Sequence, residues 1–269
     1  MKFTIEQLKE KSLFSRNRIL EMGTNGGCFV GSAFSCIDII TYLYNEIIVN
    51  ERYMTDDRDY FFLSKGHAVP AVYATLVELG FLERERLEKY NHVEDYLYLH
   101  PNKNIVGVEF HSGSLGHGLA IAMGVALDIK KQNGKGRVFV LLGDGELDEG
   151  SNWEALLNAN SLKLDNLVII IDRNQLQANF ETEKLLPLES LKEKFEAFGM
   201  LMSVVDGHDF DKLDKTFNNL SFLEGKPNVI IANTIRGKGI KSIENDWEYW
   251  FMEYDNIKCQ ELKKELNGV

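Results

Sequence analysis

The amino-acid sequence predicts an α/β fold in which a central, mostly parallel sheet is flanked by helices on both faces. Short apolar, β-branched runs alternate with segments of helical character, and this alternation indicates parallel strands joined by crossover helices. Several of these runs end in a Gly- or Ser-containing turn just before a helix, as crossover units do. Because the chain has 269 residues, 44% of them hydrophobic, we expect one domain over residues 1–269 that ends, from about residue 240, in a loop and a helical tail.

The first half of the chain is predicted to contain one strand among several helices. In order, the expected elements are a helix at 4–22, a Gly-rich break at 23–31, a helix near 34–48, a strand at 60–63, a turn at 64–67 followed by a helix, a turn-rich stretch at 91–113 and a helix at about 115–131. The Gly-rich break is a candidate loop over a site.

The second half is predicted to alternate regularly between strands and helices. In order, the expected elements are a strand at 137–142, a helix at 149–163, a strand at 167–172, a helix near 189–198, a strand at 203–205, a helix near 210–222 and a strand at 229–232.

Charge and composition narrow the class of partner. The formal net charge of -11 argues against nucleic acid or an anionic membrane surface, since both attract a basic face. The N-terminus is charged and helix-like rather than typical of a signal peptide, and no apolar run is long enough to span a bilayer. Cys28, Cys36 and Cys259 show neither metal-ligand spacing nor an even disulfide count, so we expect a cytoplasmic protein.

Two strand ends carry the residues expected of a metal and diphosphate site. Gly143-Asp144-Gly145 follows one apolar run, and Asn174 follows the next. The carboxylate of Asp144, the amide oxygen of Asn174, a main-chain carbonyl near Leu176, two diphosphate oxygens and a water would complete the octahedral oxygen shell that Mg²⁺ prefers. Either segment alone is more typical of an ordinary turn, so the prediction depends on their conjunction with strand, helix and strand.

The sequence resembles the N-terminal, diphosphate-binding half of transketolases, in particular the N-terminal subunit found where the enzyme is split between two chains. The resemblance covers about residues 10 to 250. Four blocks carry it: Phe62-Leu63-Ser64-Lys65-Gly66-His67-Ala68, His100-Pro101, the segment from Gly107 to Gly118, and Gly143-Asp144-Gly145-Glu146-Leu147-Asp148-Glu149-Gly150. A fifth, weaker block spans residues 233–239 and resembles the family's Lys-Gly-Lys-Gly type loop.

This resemblance implies the thiamine diphosphate-binding fold, with thiamine diphosphate and Mg²⁺ as cofactors. It implies that Asp144 and Asn174 bind Mg²⁺ through their side chains, that the carbonyl of Leu176 completes the metal site, and that Gly145 contacts the diphosphate. His67 is expected to lie near the cofactor.

The resemblance also implies several residues at the reacting end of the cofactor. Gly113 and Leu115 are expected against its aminopyrimidine ring, and His100 against the hydroxyl of a two-carbon fragment. Glu149 matches an acid thought to couple the two active sites of a dimer. His111 is a further catalytic candidate. For the three histidines His67, His100 and His111 the alternative is a hydrogen-bonded or solvent-exposed side chain without catalytic role; we assign no role to His92 and His208.

Three positions depart from the family pattern. Phe29 and Trp250 stand where transketolases place substrate-facing histidines that handle the donor's C3 hydroxyl, and His117 stands where Gln is common. A site with Phe and Trp at those positions would be drier and less able to hydrogen-bond a polyol.

Three functional hypotheses follow from the resemblance and its departures. The first is a transketolase-like transferase that moves a two-carbon ketol unit from a ketose or ketose phosphate donor to an aldehyde or ketone acceptor. The second is acyl-type transfer from pyruvate or another 2-oxo acid, for instance onto a keto sugar, and the third is a non-catalytic pseudoenzyme subunit. Since no C-terminal half follows, we expect a separate transketolase C-terminal-type subunit in an α2β2 assembly, whose identity, like the donor and acceptor, the sequence leaves open.

Overall fold

The computed structural model describes residues 1–268. Its strands are β1 (Tyr60–Leu63), β2 (Val138–Gly143), β3 (Leu167–Arg173), β4 (Leu176–Gln177), β5 (Phe180–Glu181), β6 (Leu201–Asp206) and β7 (Asn228–Asn233). Five of them form one sheet in the order β1-β2-β3-β7-β6, and each neighbouring pair runs parallel. The expected parallel sheet is thus confirmed; β4 and β5 form a separate antiparallel hairpin.

Helices connect these strands and cover the sheet. The α-helices are α1 (Ile5–Met22), α2 (Val30–Tyr42), α3 (Val69–Glu78), α4 (Gly118–Lys131), α5 (Gly150–Ser161), α6 (Thr182–Leu185), α7 (Leu191–Ala197), α8 (Phe210–Asn218) and α9 (Asn256–Asn267). A π-helical segment, Leu43–Ile48, extends α2, and short 3₁₀ turns lie at 66–68, 84–89, 145–148 and 247–249. No helix within residues 1–268 is long and apolar enough to cross a membrane.

The sheet separates two hydrophobic cores. Alternate strand residues such as Phe139 and Ile170 join the core that contains α1, α2, α3, α8 and α9, whereas their neighbours Val140 and Ile169 join the core that contains α4, α5 and α7. This is the pattern expected of parallel strands buried on both faces, which explains why their sequences are continuously apolar.

The first helix follows its sequence signals closely. Thr4 Oγ1 accepts a hydrogen bond from the Gln7 amide at 3.2 Å and Gln7 Oε1 accepts one from the Thr4 amide at 2.8 Å, which forms a capping box. The second helix begins at Val30, four residues before the predicted start, because Gly26 and Gly27, with φ of 79° and 82°, complete the turn earlier.

Other differences from the predicted elements lie in the second half. The helix expected to reach Phe222 ends at Asn218, and the next residues form a turn in which the Asn228 side chain bonds both the amide and the carbonyl of Ser221, at 3.3 and 2.7 Å. The hairpin β4–β5 and the single-turn helix α6 were not predicted, since elements of two to four residues have no measurable periodicity.

The C-terminal tail is a loop followed by a helix, as predicted, and it packs onto the N-terminal loop. The backbones of Cys28 and Met252 exchange two hydrogen bonds of 2.9 and 3.0 Å. The Tyr254 hydroxyl donates to the Leu20 carbonyl at 2.9 Å. These contacts accompany the approach of Phe29 and Trp250, which are far apart in sequence but have ring centres 4.9 Å from each other.

Candidate active site

A cavity of about 290 Å³ lies where the carboxyl ends of β1, β2, β3 and β7 meet. Ligands of open parallel sheets bind at this edge, because the loops that follow the strands converge there. The cavity is lined by Ser32, Lys65, His67, Leu115, Gly143, Asp144, Gly145, Glu146, Asp148, Glu149, Asn174, Leu176, Gln177, Ala178, Arg236 and Trp250.

Asp144 is the buried carboxylate at the end of β2. Its Oδ2 accepts hydrogen bonds from the Gln175 amide at 2.6 Å and from Arg173 Nη1 at 3.0 Å, while Oδ1 accepts from the Gly145 amide at 2.8 Å. Burial, with a contribution from the neighbouring Asp172, raises the pKa of Asp144 to about 6 even though Arg173 opposes the shift. A carboxylate held in such surroundings is stabilised by a bound cation.

Asn174 is oriented by hydrogen bonds on both ends of its amide. Nδ2 donates to Asp172 Oδ2 at 3.0 Å, and Oδ1 accepts from the Leu176 amide at 3.1 Å, which leaves a second lone pair of Oδ1 available. Asp144, Asn174 and Leu176 all line the cavity, so the structure brings the three expected metal ligands together.

The chemistry of these ligands fits Mg²⁺ bound together with a phosphate ligand. Within residues 1–268 no group of three His, Cys, Asp or Glu side chains is placed to hold a metal ion. A metal here would therefore rely on one carboxylate, on amide and carbonyl oxygens, and on oxygens from a ligand, which is how Mg²⁺ is commonly held.

A buried ion pair lies beneath Asn174. Lys65 Nζ and Asp172 Oδ2 are in contact, and both side chains are almost fully buried, at 1% and 0% exposure. Ser35 Oγ donates to Asp172 Oδ2 at 2.5 Å and the Thr234 hydroxyl donates to Oδ1. Although burial alone would raise it, these partners, Lys65 foremost, hold the pKa of Asp172 below its usual range.

Arg236 is a functional candidate that sequence reasoning missed. The residue is 1% exposed, its Nη1 donates to the Ala178 carbonyl at 2.7 Å, and its guanidinium lies 4.4 Å from the centre of the Trp250 ring. Nε and Nη2 have no hydrogen-bond partner among residues 1–268. Burial lowers the pKa of Arg236 to about 10, so it stays positive at neutral pH and can receive an anion.

The approach of the chain at Gly145 also suits a phosphate. A Cβ atom added to Gly145 would lie 2.3 Å from Gln177 Cβ, so only glycine allows this close packing. We call the charged and amide-bearing base of the cavity the polar floor; it consists of Lys65, Asp144, Asp172, Asn174 and Arg236.

A cluster of aromatic and histidine rings lies beside the polar floor, and we call it the aromatic wall; of its members, His67 and Trp250 line the cavity. Phe29 lies 5.5 Å from His67 and 4.9 Å from Trp250 between ring centres, and His67 lies 4.9 Å from Trp250. Two of the three departures from the family pattern, Phe29 and Trp250, therefore lie beside the candidate histidines. The wall consists of Phe29, His67, His100, Trp250 and Phe251.

Both histidines of the aromatic wall are disposed to be neutral. Burial, followed by the positive charges of Lys65 and Arg236, lowers the pKa of His67 well below its usual value. Burial also lowers the pKa of His100. The His100 ring packs against Gly113, where an added Cβ would lie 2.9 Å from His100 Cδ2. Neutral rings can donate one hydrogen bond and accept another.

Of the remaining predicted residues, some line the cavity and others lie outside it. Leu115 and Glu149 line the cavity, and Glu149 is exposed at its edge. His111 and His117 are exposed and are not among the residues that line the cavity. The solvent-exposed alternative for His111 is therefore the one that the geometry favours.

Glu146 and His208 hold the loops around the site in place through hydrogen bonds. Glu146, which we did not single out from the sequence, accepts hydrogen bonds from the Gly116 amide at 3.0 Å, from the Gly143 amide at 3.1 Å and from Ser64 Oγ, and so fixes the loops above the strands. His208 contacts Asp38 at 2.7 Å through Nδ1 and accepts from the Ile235 amide at 2.8 Å, in a structural network.

Comparison with known proteins gives a consistent picture. The family model described as transketolase, thiamine diphosphate binding domain, matches residues 11–266. The chain is 38% identical to an apulose-4-phosphate transketolase subunit from Actinobacillus succinogenes, over 97% of this chain and 97% of that protein. It is 34% identical to the protein of the same name from Phocaeicola vulgatus, over 98% of this chain and 99% of that one.

A solved structure agrees in fold. The transketolase from Leishmania mexicana superposes with a TM-score of 0.87 at 24% sequence identity. The match covers 99% of this chain but 42% of the solved one, so this chain spans about two fifths of that transketolase.

Proposed function

The chain belongs to the transketolase family and is a thiamine diphosphate-dependent transferase of it, and from this premise we propose that it is the cofactor-binding subunit of a split transketolase. The transferred group is a two-carbon ketol unit, which passes from a ketose phosphate donor to an aldehyde or ketone acceptor. The observation that carries this proposal is that Asp144, Asn174 and Arg236 line the same cavity as His67 and Trp250.

The polar floor would hold the cofactor's charged end. Asp144 through its less occupied Oδ1, Asn174 through Oδ1, and the main-chain carbonyl of Leu176 would bind Mg²⁺. Nε and Nη2 of Arg236, which have no hydrogen-bond partner within residues 1–268, and the backbone near Gly145, which lines the cavity, would receive the diphosphate. The opposite charges of metal and diphosphate match the mixed charges of the floor.

The aromatic wall would face the reacting carbons. Bound thiamine diphosphate supplies the nucleophilic carbon that takes the two-carbon unit from the donor and passes it to the acceptor. His67 and His100, kept neutral by burial, would hydrogen-bond the hydroxyl and carbonyl oxygens of that unit. Phe29 and Trp250 would keep water away from it, which protects the transfer from hydrolysis.

We further propose that the chain works with a separate C-terminal-type subunit in an α2β2 assembly. The chain spans about two fifths of a solved transketolase, and the names of the first two relatives above describe each of them as one subunit of its enzyme. Glu149, exposed at the cavity edge, is suited to couple two active sites. The three cysteines are free and buried, which supports a reducing, cytoplasmic location.

The relatives guide the choice of donor. Two of them are named for apulose-4-phosphate, and we propose a phosphorylated ketose for this chain on that basis. The determinants of phosphate recognition would lie on the partner subunit, because Arg236, which has no carboxylate partner within the described residues, is assigned to the cofactor.

A second candidate function rests on the aromatic wall. Phe29 and Trp250 present rings where a substrate hydroxyl would need a hydrogen-bonding group, and an acyl-type unit from pyruvate or another 2-oxo acid has no such hydroxyl. Transfer of that unit, for instance to a keto sugar, would use the same floor.

A donor screen distinguishes the two. The chain is purified with its copurifying subunit, supplied with thiamine diphosphate and Mg²⁺, and offered ketose phosphates or pyruvate, while an artificial oxidant reports donor cleavage. Turnover of a ketose phosphate supports ketol transfer. Turnover of pyruvate alone supports the acyl-type reaction and contradicts the first proposal.

A further inference from the structure

Arg173, the last residue of β3, is a buried arginine to which the proposed function assigns no task. It is 4% exposed. Its Nη1 donates to Asp144 Oδ2 at 3.0 Å, and its Nη2 donates to Glu183 Oε1 at 2.5 Å and to Glu189 Oε1 at 2.9 Å. One guanidinium thus joins a metal-ligand carboxylate to two acids of the segment that follows the β4–β5 hairpin.

The hydrogen bonds leave the two oxygens of Asp144 in different states. Oδ2 accepts from Arg173 and from the Gln175 amide, and lies 3.5 Å from the Thr182 hydroxyl. Among residues 1–268, Oδ1 accepts from the adjacent Gly145 amide alone. Arg173 therefore occupies Oδ2 and leaves Oδ1 as the oxygen with more capacity for a metal ion.

The same contact pairs the carboxylate of Asp144 with a cation before any metal arrives. Asp144 shares Arg173 with Glu183 and Glu189, and Asp172 is paired with Lys65. Arg236 adds a buried positive charge that has no carboxylate partner within residues 1–268. Glu146, Asp148 and Glu149 also line the cavity and would attract a divalent cation, but at Asp144 itself a cation entering alone would meet two guanidinium groups that oppose its binding.

We infer that Arg173 is a positioning residue that makes metal binding depend on the diphosphate. The inference rests on the proposed function, since it takes Asp144 as the metal ligand. A diphosphate would hydrogen-bond Nε and Nη2 of Arg236 and would add negative charge beside Asp144, whose own charge is offset by Arg173. Metal and diphosphate would therefore bind together much more tightly than either binds alone. By linkage, the metal raises the affinity for the diphosphate by the same factor.

The alternative is that Arg173 only fastens the segment of Glu183 and Glu189 to the sheet. Loss of a mere fastening would weaken metal binding to a similar degree with and without diphosphate. Loss of the charge would strengthen binding of the metal alone, because Asp144, Glu183 and Glu189 would all lose their cation. The two explanations therefore differ in the sign of one measurable change.

The test uses Mn²⁺, which prefers similar oxygen ligands to Mg²⁺ and is detected by electron paramagnetic resonance. The full chain, with any subunit that copurifies, is titrated with Mn²⁺ alone, with inorganic pyrophosphate and with thiamine diphosphate. We expect the wild type to bind Mn²⁺ at least about 100-fold more tightly with either phosphate compound. Arg173→Met should bind Mn²⁺ alone about tenfold more tightly and lose about tenfold of this coupling.

Two variants serve as controls. Arg173→Lys keeps the charge and should keep most of the coupling. Arg86→Met removes an arginine paired with Asp95, away from the cavity, and should leave all three titrations unchanged.

The possible outcomes separate the inference from the proposed function. Wild type that binds Mn²⁺ equally well without phosphate, or Arg173→Met that weakens all three titrations equally, overturns the inference and leaves the metal site intact. Absence of Mn²⁺ binding under every condition contradicts the proposed function itself. If Arg173→Met does not fold, the wild type and Arg173→Lys decide, since loss of coupling in the lysine variant also contradicts a charge effect.

Discussion

The polar floor and the aromatic wall lie side by side at one cavity, where Arg236 of the floor contacts Trp250 of the wall, but they are built in opposite ways. The floor is mostly contributed by two adjacent strand ends, near residues 144 and 174, and most of its charges are paired: Lys65 with Asp172, and Asp144 with Arg173. The wall is assembled from four separate segments, at 29, 67, 100 and 250–251, and its members touch through ring faces and edges.

This difference indicates which part of the site specifies the cofactor and which part is free to specify the substrate. Lys65, Asp144 and Asp172 have charged partners that a substitution would leave buried and unpaired, which is costly. Rings of the wall can be exchanged for others of similar volume at smaller cost. Asp144 and Asn174 of the floor follow the family pattern, whereas the wall carries two of the three departures, Phe29 and Trp250.

The largest effect is expected at the centre of the floor. Asp144→Asn removes the anionic metal ligand, and we expect kcat/KM for the donor found by the screen to fall at least about 10³-fold, because metal-bound diphosphate is lost. Asp128→Asn, an exposed aspartate on α4, is the matched control and should retain wild-type activity. Full activity of Asp144→Asn would mean that the floor is not a metal site.

The next effect concerns the ion pair that supports the floor. Lys65→Met leaves Asp172 buried without its cation, and we expect the free energy of unfolding in urea to fall by about 3 to 5 kcal/mol. Lys192→Met, an exposed lysine near Glu196, should leave it unchanged. Equal stability of the two variants would show that the buried pair is dispensable and would remove the contrast with the wall.

A smaller effect is expected when the wall is altered. Phe29→Ala removes a ring that contacts His67 and Trp250, and we expect kcat/KM for the donor to fall about tenfold. The dissociation constant for thiamine diphosphate, measured by fluorescence quenching, should stay near the wild-type value because the floor is untouched. Phe14→Ala, an exposed ring on α1, is the control. A matching loss of cofactor affinity would contradict the separation of floor and wall.

The smallest effect is the pH dependence of stability that arises from His67. Because burial lowers the pKa of His67 in the folded chain, its neutral form contributes stability above pH 6.5 that is lost as pH falls toward the folded pKa. We expect wild-type stability to fall between pH 7 and 5, and His67→Phe to remove at most about 1.4 kcal/mol per pH unit of that fall. His92→Phe, at an exposed histidine, should keep the wild-type profile. Identical profiles for both variants would contradict a buried neutral His67.

Four strands of the sheet, β1, β2, β3 and β7, were predictable because each is a mostly apolar run that ends in, or is followed by, a glycine or a polar residue. The fifth, β6, was predicted at 203–205 but spans Leu201–Asp206, because its apolar run is interrupted by Ser203. β1 was predicted without error, and β2, β3 and β7 to within one residue at each end. The start of α2 and the end of α8 were wrong by four residues each, since glycine turns and side-chain bonds to the backbone decide those ends.

The grouping of the candidate residues was predictable where they come from short motifs, and not where it depends on packing. Asp144, Asn174 and Leu176 all line the cavity, and their role as metal ligands stays a prediction. Arg236 was overlooked, because only the fold reveals that two of its nitrogens are buried without a partner. The role of Arg173 depends in the same way on Glu183 and Glu189, whose positions follow from a hairpin too short to predict.

The two backbone hydrogen bonds between Cys28 and Met252 join segments that are far apart in the chain, and this separation affects the order in which the polar floor and the aromatic wall form during folding. The ends of the floor's central motif are about thirty residues apart, and loop closure over such a distance is fast. The wall needs residue 29 to meet residue 250, a far longer closure, which slows folding because contacts distant in sequence form late. During synthesis, Asp144 and Asn174 can therefore come together early, whereas Arg236 and the aromatic wall reach their places only after the last part of the chain has emerged.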